Sequence, residues 1–456
     1  MRYSILDYGA IPDGRTNCAA AIQAAIDAAS QAGGGTVTVP AGRFYSGSIL
    51  LKSHVELRLE TGAVLVSSLY EREISAFPAA PGEAPIHGWN GGFFLGARDA
   101  VDIRITGGGV IDGQGERVFS DADVDHGFHE CPLRCAPFRP RLVLFENIQG
   151  LEIAGVTLRD AAFWTLHLAG CRRVRIHDIQ ILGNDRGANN DGIDPDCCQD
   201  VVISNCLVET GDDAIVLKST APMARRYGPC ENVTITGCVL HSRDSALKIG
   251  TETHGTIRRV VFADSVIRDC SRAVGIWVRD GGTVERIQAH HLTGSVRRYA
   301  DAYDLPGAPG WWGKGEPLFV SATFRRDSAL PSPGTIRQLS FSDIQLDCES
   351  SLFLAGEECS PIEDVRLREI HLRFVRQGTQ PGGLFDEQPS ARHIYPHAIP
   401  ALYARWVNGL WLKDSTARFT GDHEAWDGTL TETENCADAD VRWEKKQSAP
   451  TQANPD

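Results

Sequence analysis

From Thr36 onward, apolar and polar residues alternate in short runs: Thr36-Val37-Thr38-Val39, then Ser48-Ile49-Leu50-Leu51, then Val55-Glu56-Leu57-Arg58-Leu59. A period of two is the mark of a strand with one buried face. The runs then recur as Val101-Asp102-Ile103-Arg104-Ile105, Leu151-Glu152-Ile153, Val174-Arg175-Ile176, Val201-Val202-Ile203, Val233-Thr234-Ile235 and Val260-Val261-Phe262. Each opens a unit of roughly 20–30 residues that continues into a second short strand and a turn, the self-similarity of a solenoid. A unit of this kind cannot bury its apolar face alone, so it stacks on its neighbours. The pattern predicts an all-β chain wound as a right-handed parallel β-helix. A propeller would need blades of about 40 residues with four strands each. Ahead of the repeats, alanines with Ile22 and Ile26 at helical spacing predict a helix from about Thr16 to Gln31, stopped at Gly33-Gly34-Gly35. It is expected to cap the open end of the coil.

Three stretches break the repeat, at about 70–94, 114–140 and 296–334, and are expected to be loop insertions. Repeats resume at Ile336 and fade after Val375. The expected organisation is a single β-helix domain over 1–445, followed by a polar, disordered tail over 446–456.

Composition narrows the partners. Hydrophobic residues make up 42% of the 456-residue chain and charged residues 23%, values of a soluble globular protein. The net charge of −14 argues against nucleic acid or an anionic membrane as partner. No run approaches the roughly 18 consecutive apolar residues of a membrane span, and the N-terminus lacks a basic segment leading into an apolar one. The expectation is a cytoplasmic protein, unless a signal peptide was removed ahead of Met1. The sequence does not set the oligomeric state. The 13 cysteines show no zinc-finger spacing and read mainly as buried thiols, several of them (Cys171, Cys206, Cys238, Cys270) at similar repeat positions. Cys131 and Cys135, with His126 and His129, are a minor candidate for a disulfide or a metal site.

The chemistry concentrates between Asn189 and Lys218. Asn189-Asn190-Asp191-Gly192-Ile193-Asp194 and Gly211-Asp212-Asp213-Ala214 stand one repeat apart. Stacked rungs about 4.8 Å apart would bring Asp191 beside Asp212 and Asp213. Three crowded carboxyl groups raise one another's pKa, a cost that an acid and a base flanking a glycosidic bond would explain. Turn punctuation alone would account for the residue types but not for both clusters recurring one coil apart. Asp194 and Asp196 fit turn or ladder roles at least as well and stay outside this set. No metal or other cofactor is expected.

These residues resemble those of the polygalacturonase family of glycoside hydrolases, family twenty-eight, whose members are right-handed β-helices. Gly211-Asp212-Asp213 is similar to the family's Gly-Asp-Asp, and Asn189-Asn190-Asp191 to its Asn-Thr-Asp with one change. Asp7-Tyr8-Gly9-Ala10, Gly109-Val110-Ile111-Asp112-Gly113-Gln114-Gly115 and Phe163-Trp164-Thr165-Leu166-His167 extend the likeness over most of the chain. The resemblance implies an inverting hydrolysis: Asp212 protonates the leaving oxygen while Asp191 and Asp213 activate a water. Acid and base are then expected about 6.5–9.5 Å apart.

Two motifs depart from the family. Arg243-Asp244-Ser245 stands at its Gly-His-Gly, and Trp277-Val278-Arg279 at its Arg-Ile-Lys, the pair that grips a substrate carboxylate. Arg279, Lys248 or Arg243 is the candidate replacement cation, and the Trp277 indole a candidate platform for a neutral sugar face. Asn189, Asp244, His167, Trp311, Trp312 and Glu316 complete the expected substrate contacts, the two adjacent tryptophans offering flat apolar faces. The expected substrates are pectin-type, galacturonate-containing oligosaccharides, rhamnogalacturonan-like ones included, attacked from a chain end or as short pieces. The competing readings are a β-helix polysaccharide lyase and a non-catalytic, carbohydrate-binding β-helix.

Overall fold

The computed structural model describes residues 1–78, 92–120, 133–299, 313–377, 382–421 and 426–444. The expected tail, Trp311, Trp312, Cys131, His126 and His129 lie outside them. Thirty-one strands join in one hydrogen-bonded sheet, and their pairings are parallel from coil to coil. Parallel connections of this kind wind with a right-handed sense, and the result is the right-handed β-helix that the repeat predicts.

The alternation does what its period requires. Leu57, Ile105, Ile153, Ile176, Ile203, Ile235, Phe262, Ala289, Phe341, Leu367 and Leu412 are consecutive register partners and form one continuous apolar row inside the coil. All are buried. Each coil bends at recurring positions with left-handed backbone: Arg173, Asp200, Asn232 and Arg259 in one series, Asp178, Asn205, Gly237 and Asp264 in another. Glycine, asparagine and aspartate tolerate that conformation best, and they fill most of the second series. His291, also left-handed, continues it, its ring between Asp264 and Asp343 at 3.1 and 3.3 Å. This corner histidine has a structural partner on each side.

The N-terminal helix runs from Ala19 to Gln31 and buries Ile22, Ala25, Ile26 and Ala29. It starts three residues later than its composition suggests. Asp13 accepts hydrogen bonds from the amides of Arg15 and Thr16, which fixes a turn there instead. A second helix, Ala221–Tyr227, interrupts the repeat where Thr220 and Pro222 set its start. Beyond the main sheet, residues 384–386 and 394–396 form a small antiparallel hairpin.

The functional side chains come from one strand column, which includes Phe163–Ala169, Ile193–Asp196, Ile215–Ser219, Ser245–Thr253, Arg272–Val278 and Glu316–Ala322. Residues pointing inward here are apolar. Those pointing outward, such as His167, Asp194, Lys218, Lys248 and Trp277, are also largely covered. Polar groups on this face are therefore held at low solvent exposure, where charge matters most.

Among the described residues nine cysteines are buried free thiols. Cys171, Cys198, Cys206, Cys238 and Cys270 pack within the apolar interior, as expected of a small apolar group. No described helix is long and apolar enough to cross a membrane.

Candidate active site

Three successive turns carry the carboxylates to one place. Asp191 precedes the strand Ile193–Asp196, Asp212 and Asp213 precede Ile215–Ser219, and Asp244 precedes Ser245–Thr253. Parallel bonding continues through these turns: the Thr165 amide donates to the Asp191 carbonyl, Gly192 to Asp213, and Ala214 to Ser245, at 2.8–2.9 Å. Stacking is so close that a Cβ on Gly192 would lie 2.4 Å from the Ala214 carbonyl oxygen. One on Gly211 would lie 2.4 Å from that of Gly187. Both motif glycines are thus steric requirements of the rung spacing.

One oxygen from each of Asp191, Asp212 and Asp213 lies within 4.8 Å of the others. The expected 6.5–9.5 Å gap is not found. The carboxyl groups come from neighbouring rungs, and the rung spacing itself sets how far apart they stand. Asp212 is the most accessible of the three at 7% exposure, against 2% for Asp191 and 1% for Asp213. Its Oδ2 accepts from the Asn189 amide at 3.0 Å and its Oδ1 from the Asp213 amide at 2.9 Å. Asn189 Oδ1 in turn accepts from Arg139, which anchors that loop.

The groups around the trio decide its protonation. Lys248 Nζ is 2.9 Å from Asp213 and 2.8 Å from Asp244. Lys218 Nζ lies 3.6 Å from Asp191, 3.8 Å from Asp194 and 3.5 Å from Glu252, over the Trp164 ring. Burial, then the charge of Asp191, pushes the Asp212 carboxyl up to about 7. Burial likewise raises Asp191, Asp213 and Asp194, the last two well above the usual carboxylate range. Asp244 moves the other way, because Lys248 and Arg272 together outweigh its burial. The cluster is too crowded to ionise fully and holds protons near neutral pH. Among the described residues Asp191 Oδ1 and Asp213 Oδ1 have no hydrogen-bond partner, which leaves each able to accept one. The three oxygens are close enough to cage a cation, but the Lys248 and Lys218 ammonium groups already supply positive charge to the cluster.

Two groups that the sequence did not single out matter here. Asn190 is fully buried; its Oδ1 accepts from the Gly211 and Asp212 amides at 2.9 and 3.0 Å, and its Nδ2 donates to the Asn184 carbonyl at 2.7 Å. This amide ties one motif to the other, and its place between Asn189 and Asp191 was the available signal. Lys218 closes the second motif and was equally visible, but only the fold brings it to Asp191.

Several expected substrate contacts lie beneath the site. Trp277 is 1% exposed, its ring set against Phe319 with the Lys248 and Arg272 cations 4.9 Å from its centre. It borders the cavity that Asp244 and Lys248 line but exposes no more than that 1% to it, and its Nε1 donates to the Gln388 carbonyl. Arg279 is fully buried and donates to the carbonyls of Ser321, Pro389 and Glu387, so it does not replace the missing lysine. His167 is fully buried between Arg141 and Asp196, and burial pushes its pKa down to about 4. Glu316 is buried against Arg272 and accepts from the Lys314 amide. Arg243 is paired with Asp185 at 2.6 Å. Asp244 and Lys248 do reach open space: they line a cavity of about 420 Å³ beside Asp213, walled on the far side by 325–326 and 388–393.

Comparison with known proteins gives the family. The family model "Glycosyl hydrolases family 28" matches residues 36–289, more than half of the chain, and "Rhamnogalacturonase A/epimerase, pectate lyase-like" matches 3–59. A "Probable polygalacturonase" of Vitis vinifera is 30% identical over 315 residues, covering 65% of this chain and 61% of its own length. Among solved structures, an exopolygalacturonase of Thermotoga maritima superposes with a TM-score of 0.68 at 24% identity, covering 85% of this chain and 89% of that one. A family 28 exopolygalacturonase of Yersinia enterocolitica gives 0.73 at 19% identity, covering 96% and 78%. The two structures share the fold, and the family match spans both carboxylate motifs: the chain belongs to family 28 of the glycosyl hydrolases.

Proposed function

We propose that the protein hydrolyses galacturonate-containing, pectin-type oligosaccharides at the Asp191, Asp212 and Asp213 cluster. The observation that carries this reading is the pairing of an accessible carboxyl raised to about 7 with two carboxyl groups within 4.8 Å, each keeping one unpartnered oxygen. Asp212, protonated near neutral pH, gives its proton to the leaving glycosidic oxygen as the anomeric carbon–oxygen bond breaks. Asp191 or Asp213 takes a proton from the water whose oxygen forms the new bond to that carbon. General acid–base groups of this kind contribute typically 10²–10⁴-fold each.

The reading extends to short substrates or chain ends. Trp277 and Arg279 fasten the 384–396 hairpin over the coil beside Lys248, which walls the cavity on that side. Such a wall suits a substrate terminus better than a polymer passing through. Names of relatives point the same way: one is an exo-poly-alpha-D-galacturonosidase of Dickeya chrysanthemi. We further propose inversion at the anomeric carbon, with the water held by the two carboxylates themselves in place of a wider gap.

The test is a panel of pectic oligosaccharides of defined length, including rhamnose-containing ones, digested by wild type and by Asp212→Asn and read by mass spectrometry. Shortening of galacturonate oligomers by wild type alone supports the reading. Unsaturated products that vanish with a chelator would replace it with a lyase.

A further inference from the structure

In the resembling family the substrate carboxylate meets a cation pair at the positions of Trp277 and Arg279. Here both side chains are committed to holding the hairpin, and Lys248 is committed to Asp213 and Asp244. The cation left for a ligand comes from a different element. Arg326 lies four residues past the strand Glu316–Ala322 and lines the cavity beside Lys248. Its guanidinium is exposed and makes no hydrogen bond or ion pair with any described residue. Its neighbour Arg325 is clamped by both Asp280 oxygens, at 2.6 and 2.9 Å, and by the Thr251 carbonyl at 3.0 Å, which fixes the backbone that presents Arg326.

The cavity as a whole favours an anion. Its lining carries Lys248, Arg325 and Arg326 against Asp244 alone, an excess of two positive charges in a chain of net charge −14. His393, across from Arg326, is held toward its neutral form by burial and by the Arg326 charge, so it does not compete as the cationic contact. A planar guanidinium with its donors unspent is the group best matched to a carboxylate, which it can bind through two parallel hydrogen bonds.

We propose that Arg326 receives the carboxylate of a sugar acid seated in this cavity next to Asp213, and so sets the preference for a uronate over the corresponding neutral sugar. The inference rests on the hydrolase reading only for where the sugar acid sits relative to the bond that is cut. A charge-assisted contact of this type is worth about tenfold to a hundredfold in binding, and partial exposure places Arg326 near the lower figure.

The experiment uses the full chain carrying Asp212→Asn, with calorimetric titration by D-galacturonate and by D-galactose, which differ only in the carboxylate. The expected result is at least a tenfold preference for galacturonate, lost when Arg326→Ala is added and partly kept by Arg326→Lys. Circular dichroism checks that each variant is folded. A preference that survives Arg326→Ala, or galactose binding as well as galacturonate, overturns the inference. Turnover of oligogalacturonate by wild type is measured alongside. Turnover with an Arg326-independent preference sinks this inference alone. Arg326-dependent binding without turnover of any pectic oligosaccharide leaves it standing and sinks the hydrolase reading.

Discussion

Asp212→Asn separates the chemistry of the site from its cost to the fold. In the folded protein the Asp212 carboxyl is raised from 3.8 to about 7. A raised carboxyl binds its proton more tightly in the folded than in the unfolded chain, so stability is lost as pH climbs from the unfolded value through the folded one. At about 1.36 kcal/mol per pH unit, that loss approaches about 4 kcal/mol above pH 7. Asparagine removes the charge but turns one acceptor of the Asn189 and Asp213 amides into a donor, which costs about 1–2 kcal/mol. The net gain is therefore about 2 kcal/mol at alkaline pH, and it turns into a loss of about 1–2 kcal/mol at about pH 4, where wild type is protonated as well and only the cost of the amide remains. With an unfolding entropy of about 2.1 cal/mol/K per residue, the alkaline gain is about 2 °C in Tm for a chain of 456 residues. Scanning calorimetry of both proteins at acid and alkaline pH reads the difference, while turnover should fall by at least 10². A Tm gain equal at both pH values, or residual activity above about a tenth of wild type, would refute the reasoning.

Wild-type kcat should decline as pH rises through about 7, because Asp212 then loses the proton it must donate; a rate still climbing past pH 8 would exclude it as the acid. Proton NMR of the first product should show inverted anomeric configuration. Retention would instead assign Asp191 or Asp213 as a nucleophile, consistent with oxygens within 4.8 Å of one another. Asn190→Ala should cut kcat at least tenfold and cost about 2 kcal/mol or more by urea unfolding, since it strips the partner from two buried amides. Trp277→Arg should destabilise the protein by about 3 kcal/mol or more and not shift its substrate preference, because the new guanidinium would lie against Lys248 and Arg272; an intact variant that prefers galacturonate more strongly than wild type does would contradict this.

The fold was readable because a solenoid writes its structure locally. Each coil repeats the same alternation, and the row from Ile105 to Leu367 follows from period, whereas Leu412 and Val441 continue it past Val375, where the alternation in the sequence fades. The trio was readable for the same reason, one rung being one repeat. What the sequence concealed lies in contacts between distant segments. Nothing near Trp277 or Arg279 announces that Gln388 and Pro389, about 110 residues on, receive their hydrogen bonds. His167 alternates outward just as cleft residues do, and only the covering layer shows that it is buried with partners. Arg326 sits in a stretch without motif or period, and its place in the cavity depends on the Arg325 clamp to Asp280.

The most direct test of the hydrolytic cluster is digestion of trigalacturonate in water enriched in heavy oxygen, with the products weighed by mass spectrometry. Hydrolysis at Asp191, Asp212 and Asp213 predicts one heavy oxygen in the newly formed reducing end, no product absorbing in the ultraviolet as an unsaturated uronate, and no conversion by Asp212→Asn. Unlabelled, unsaturated products would contradict the account, and so would label incorporated equally by Asp212→Asn.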